Sequence, residues 1–273
     1  MYYIIHIATA FQSISAQPRE VQELIWTRTQ NEWRKKEPSH PILSASLDEY
    51  LNKQAEAICS ISAALKTKMA LTPEFGHIVA IGKVLAGKNF APRLKVEITE
   101  RAGQEKELLK NFWENIAAFT AKRGTPTFVT WNGLDFTFPF LIERSSALGV
   151  KPSRLLPRAR FQPWKHLDLL AELADYDPRR YIDLRSRLTL WGLKLNGNGN
   201  QTGLRDPQTL IEEWRKGNTK PLKEDLILTL RGILLILKKI APYLLEAKYH
   251  GQPLRWKTPV TNPACSPSQP ISQ

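Results

Sequence analysis

The side chains of this sequence that could do chemistry are mostly bases. Lys151, Arg154, Arg158, Arg160 and Lys165 follow one another with no acid between them, and Phe161 and Trp164 are interleaved. Arg179, Arg180, Arg185 and Arg187 come next, around Tyr181. Guanidinium groups pair with phosphate oxygens and aromatic rings stack on bases, so this alternation suits a strand of nucleic acid. The same residues also fit a solvated loop whose charges do no specific work. The chain of 273 residues has 39 Lys+Arg against 26 Asp+Glu, a formal charge of +13. Residues 1–76 hold eight bases and eight acids, whereas residues 151–200 and 201–273 carry +5 each. A polyanion is drawn to the second half rather than the first. Other chemistries are poorly supplied. Cys59 and Cys265 form neither a C-x-x-C metal spacing nor a disulfide framework. The N-terminus has no basic and apolar segments of a signal peptide. The apolar stretch 226–240 is interrupted by Arg231, Lys238 and Lys239 and is too short for a bilayer. A reducing, cytoplasmic setting without a membrane partner is expected.

The elements that position these residues follow from periodicity. Residues 2–9 read as a buried strand, and 19–36 as an amphipathic helix ended by Pro38 and Pro41. A helix is expected over 48–70. Strands at 77–85 and 94–99 flank a Gly87-Lys88-Asn89 turn and predict a hairpin. Residues 104–122 place Leu108, Leu109, Phe112, Trp113, Ile116 and Phe119 on one helical face, with Gly124 as the stop. A strand at 125–131 and the Asn132-Gly133 turn precede a helix over 137–148, with Thr137 as N-cap and Pro139 in the first turn. Residues 166–174 pass from strand to helix, and 184–193, 207–216 and 220–248 are helical. The Asn/Gly run 196–200 is a loop. The alternation predicts a mixed α/β domain over residues 1–248 and a Pro/Ser-rich, disordered tail over 249–273.

Four segments, in order, carry a family resemblance. They are Leu71-Thr72-Pro73-Glu74-Phe75-Gly76-His77-Ile78-Val79-Ala80-Ile81, Asn132-Gly133-Leu134-Asp135-Phe136-Thr137-Phe138-Pro139-Phe140-Leu141, His166-Leu167-Asp168-Leu169-Leu170 and Glu224-Asp225-Leu226-Ile227-Leu228-Thr229. Together they resemble the predicted 3′–5′ exonucleases related to the exonuclease domain of family B DNA polymerases. The resemblance implies an RNase H-like fold, a mixed central sheet with flanking helices, and DEDD-type chemistry. In that chemistry two divalent ions about 3.5–4 Å apart activate the attacking water and stabilise the leaving oxygen. Four carboxylates hold the ions: two in a D-x-E on the first strand, one at the helix start after N-G-x-x-F, and one on the last helix. A Tyr or His a turn before the last Asp orients the water.

This sequence departs from the pattern at most of those positions. Where the family has D-I-E-T, it reads His6-Ile7-Ala8-Thr9, and where the family has F-D-x-P, it reads Phe136-Thr137-Phe138-Pro139. Pro221 stands four before Asp225, and Asp225 alone of the four carboxylates remains. His6 is a speculative metal ligand beside Asp225, or a hydrogen-bonded core residue. Ala8 fits strand packing. Asp135 reads as a turn residue, with a replacement ligand as the alternative, and Asp168 as a structural acid outside the four. Three functions stay open: a degenerate exonuclease that still binds single-stranded DNA or RNA, an active exonuclease using Mg²⁺ or Mn²⁺ at an altered site, and a protein-interaction module. The nucleic-acid-binding candidates are Lys151, Arg154, Arg158, Arg160, Trp164 and Lys165. No cofactor is expected unless the site is active.

Overall fold

The computed structural model describes residues 1–11, 14–52, 68–87, 92–195 and 203–248. Strands β1 (Tyr2–Phe11), β2 (Gly76–Ala86), β3 (Pro92–Ile98), β4 (Thr127–Thr130) and β5 (His166–Asp168) form one sheet in the order β3-β2-β1-β4-β5. β1 pairs antiparallel with β2, and β2 with β3; β1 pairs parallel with β4, and β4 with β5. This mixed sheet is the α/β, RNase H-like arrangement that the sequence led one to expect. The helices are α1 (Arg19–Lys36), α2 (Leu47–Leu51), α3 (Glu105–Arg123), α4 (Phe138–Ala147), α5 (Leu169–Leu173), α6 (Leu184–Leu190), α7 (Pro207–Arg215) and α8 (Lys220–Lys248). The helix expected over 48–70 begins as α2, closed at its start by a capping box of Ser46 and Glu49. Residues 53–67 lie outside the described residues, as do the expected turn at 88–89, the 196–200 loop and the tail.

Both faces of the sheet are covered, because β1 alternates two apolar sets. Tyr3, Ile5 and Ile7 pack with Leu109, Phe112, Trp113 and Ile116 of α3 and Phe140 and Leu141 of α4. Ile4 points the other way, into a cluster with Leu230, Ile233, Leu234 and Leu237 of α8. By the period of two, His6, Ala8 and Ala10 share that second face. Ala8 and Ala10 meet Leu210 and Trp214 of α7 and Leu222 and Leu226 of α8. The helix α8 approaches closely because β2 offers no side chain at Gly82, where a Cβ would lie 2.6 Å from Leu230 Cδ1. Polar locks fix the other layer. The Trp113 indole N–H donates to Ser145 at 2.9 Å. Arg144 reaches Glu105 at 2.7 Å, and Glu105 also accepts the Ile78 N–H at 2.7 Å, which ties α3 and α4 to the start of β2.

Candidate active site

A cleft of about 410 Å³ opens between β1, α7 and α8. β1 supplies His6, Ala8 and Thr9 to its wall. α8 supplies Leu222, Asp225, Leu226 and Thr229, which recur at three- and four-residue spacing and so share one helical face. Thus His6, Ala8 and Asp225, named from the resemblance, line one cleft although the first and last are 219 positions apart. The pairing of β1 with β2 slips in register between Ala8 and Thr9. Thr9 donates its hydroxyl proton to the Ala70 carbonyl at 2.6 Å at the same place. Bulges of this kind are common beside functional sites, where they re-aim side chains.

The charges in the cleft are few and already engaged. Asp225 Oδ1 accepts the Arg205 backbone N–H at 2.7 Å. Burial pushes its carboxyl above the usual range, against the pull of that hydrogen bond and of the Arg185 and Arg205 guanidinium groups. Burial holds the His6 imidazole down to about 4, so the ring is neutral near pH 7, and its Nδ1 is enclosed without a hydrogen-bond partner among the described residues. Glu212 and Arg215 of α7 also line the cleft. Arg215 is turned to the wall: its guanidinium sits 3.9 Å from the Phe11 ring centroid and donates to the Phe11 carbonyl at 2.7 Å. Sequence reasoning missed Glu212, Arg205 and Arg215 because only tertiary packing brings α7 and the preceding loop to β1. A larger cavity of about 680 Å³ lies between β3 and α3, but none of the family positions lines it.

The fourth position, Thr137, follows β4. Asn132 takes a left-handed conformation (φ 62, ψ 47), and a π-helical turn, Gly133–Thr137, leads into α4. Gly133 is required there: a Cβ would lie 2.1 Å from Thr130 Oγ1. Thr137 occupies the position before α4, yet its side chain caps nothing. Its backbone is already helical, so the hydroxyl does not face the free N–H groups of the first turn. The expected capping role is corrected accordingly: Thr137 is fully buried, and Oγ1 has no partner among the described residues. Asp135 lies in the π turn, where its carboxylate accepts the Tyr181 hydroxyl at 3.4 Å. Asp168 is 2% exposed and structural. It accepts the N–H groups of Asn132 (3.0 Å), Leu134 (2.8 Å) and Leu170 (3.2 Å), holding the β4 exit and capping α5. Burial raises its carboxyl above the usual range, and these N–H groups oppose the rise.

The six residues expected to bind nucleic acid lie in the connection from α4 to β5, and they divide. Lys151, Arg158, Arg160, Trp164 and Lys165 are exposed. Arg154 is not a free surface cation. It donates to Thr120 Oγ1 at 3.3 Å, lies over the Phe128 ring at 5.6 Å, and its Nε is enclosed. Trp164 and Lys165 sit at the start of β5, where the Trp164 carbonyl accepts the Thr127 hydroxyl. Thr127 pairs with Tyr2, and His6 lies four residues further along β1, about 13 Å at strand rise. That end of the basic connection therefore lies beside the start of β1 rather than at the cleft.

This geometry agrees with the comparison to known families. The profile of the predicted 3′–5′ exonucleases related to the exonuclease domain of PolB matches residues 49–220. The chain belongs to this family. The match includes Thr137 and Asp168, whereas His6, Ala8 and Asp225 lie outside the matched residues. A search of curated proteins gives no significant match. Exonucleases of this family type depend on divalent metal ions. Here the residues do not fit a pair of such ions. The cleft offers one carboxylate already bonded to Arg205, the acid Glu212 and a neutral imidazole. Among the described residues, no group of three or more His, Cys, Asp or Glu is arranged to hold a metal. Mg²⁺ takes hard oxygen ligands in a near-octahedral shell, and a carboxylate that already accepts the Arg205 N–H and feels the positive charge of Arg185 and Arg205 is a poor start for one. Among the described residues no helix is long and apolar enough to cross a membrane.

Proposed function

We propose that this exonuclease-like chain binds single-stranded DNA or RNA and hydrolyses it poorly or not at all, in a cytoplasmic setting. The observation that carries this reading is the identity of the residues at the four carboxylate positions that the resemblance implies, three of which line the cleft. At the family's four carboxylate positions stand His6, Ala8, Thr137 and Asp225, and the one acid is bonded to a backbone N–H. Hydrolysis by two metal ions requires a ligand shell that stabilises both the entering and the leaving oxygen. A neutral His, a methyl group and an enclosed hydroxyl supply no such charge. Binding is supported by Lys151, Arg158, Arg160 and Lys165, exposed on one connection.

The test has two arms. Purified protein incubated with 3′-labelled single strands and Mg²⁺ or Mn²⁺ leaves the strands intact. The same strands bind with an affinity that falls as salt rises, and replacing Arg158, Arg160 and Lys165 by Gln flattens that dependence. Metal-dependent shortening that disappears in Asp225→Ala overturns the impaired reading. It favours the second one, an active exonuclease with a changed metal site, for which the specific support is that Glu212 lines the same cleft as Asp225. Failure to bind any strand at low salt favours a protein-interaction role.

A further inference from the structure

The connection that carries the exposed bases also carries a strained aromatic pair. Phe161 is 64% exposed and adopts φ 60, a left-handed conformation unusual for a bulky residue. Its ring centroid lies 4.4 Å from that of Tyr176, at 50°. The Phe161 N–H donates to the Tyr176 hydroxyl at 3.3 Å, and that hydroxyl donates to Glu172 at 2.7 Å. Tyr176 and its neighbour Asp175 are left-handed too, with φ 58 and φ 54. Non-glycine residues in that region cost about 1–3 kcal/mol each, and such strain clusters at functional sites. Here three such residues accompany an aromatic ring that is exposed to water rather than packed in the core.

We propose that Phe161, backed by Tyr176, is a stacking platform for an unpaired base of single-stranded nucleic acid. The proposal rests on the binding reading above and names the contact that reading lacks. The surroundings match such a ligand. Arg160 adjoins Phe161 in the chain and Arg158 is exposed three residues before it, while the exposed Arg179 is already paired with Asp177 at 2.9 Å. A base needs an open ring face, and its phosphates need cations within one nucleotide of that face. A purely apolar protein partner has no use for these arginines.

The test measures anisotropy of two labelled strands of equal length with the full chain, one of oligothymidylate and one of base-free deoxyribose phosphate. Phe161→Ala weakens oligothymidylate binding by about fivefold to a hundredfold. It leaves the base-free strand and the salt dependence unchanged. Phe161→Trp restores the affinity. Phe161→Gly, which takes the left-handed backbone without strain, behaves as Ala does and guards against a folding defect. Unchanged oligothymidylate binding in Phe161→Ala and Phe161→Gly overturns the platform and leaves the nucleic-acid reading standing. Equal weakening of both strands also overturns the platform, because loss of a base contact cannot affect a strand without bases. No binding of either strand by the parent chain rejects both proposals.

Discussion

Asp168 and Asp225 are both acids of the family segments, and their surroundings differ. Asp168 is enclosed at the end of β5 and accepts three backbone N–H groups at 2.8–3.2 Å. Asp225 is half-buried on α8, accepts one N–H from the exposed Arg205, and faces a neutral His6 across an apolar cleft. The first holds a turn together, and its whole environment is present. The second shares its cleft with His6, Ala8 and Glu212. The fold-holding acid is embedded in donors, while the cleft acid accepts one N–H, and we propose that it lacks the partners a metal pair requires.

The contrast can be broken most directly through Asp168. Asp168→Ala leaves three backbone donors at a buried site without their acceptor. Each such orphan costs about 1–3 kcal/mol, so a total loss of about 3 kcal/mol or more is expected in urea unfolding. That corresponds to a fall in Tm of roughly 6–12 °C for a domain of this size. Asp168→Asn, which keeps one acceptor oxygen, loses less. A change below about 1 kcal/mol for Asp168→Ala contradicts the role assigned from these bonds.

Acid acts on core and cleft alike, because burial holds His6 of the cleft down to about 4 as well. Burial holds His77 down to about 4, with Glu105 opposing and Arg144 and Arg215 reinforcing, and it holds His166 down to about 3. Both lie below the ordinary value of 6.5, so folding favours the neutral rings. Their contribution is complete above pH 6.5 and is lost as pH falls towards 4, at roughly 3 kcal/mol or more per ring over the whole range. Urea midpoints measured from pH 7 to pH 4 should fall, and His77→Phe should flatten the slope. An unchanged slope in His77→Phe removes His77 from the account.

The smallest effect is expected at Thr137. Its hydroxyl is buried and unpartnered, so Thr137→Val removes an unsatisfied group and should leave stability within about 1 kcal/mol, or raise it. A marked loss on equilibrium unfolding would show that the hydroxyl is bonded.

Much of this architecture was legible in the sequence. The limits of α1 and α8, the β2–β3 hairpin and the apolar face of α3 follow from period and punctuation, because single residues set them locally. His6, Ala8 and Asp225 could be named from the resemblance, but no spacing rule could bring them together. β1 and α8 meet only through the sheet order and the close approach at Gly82. Arg154 looked like its neighbours, since a run of bases does not reveal which one packs on Phe128. The left-handed Phe161, Asp175 and Tyr176 were also silent, because no glycine marks those positions.

The central claim is that the cleft cannot hold a metal pair. Titrating Mn²⁺ into the purified full chain and following the free-ion signal by electron paramagnetic resonance tests it most directly. The account predicts no saturable binding of two ions per chain in the micromolar range, and the same curve for Asp225→Ala. Two Mn²⁺ ions bound per chain at micromolar concentration, with loss of that binding in Asp225→Ala, would contradict it.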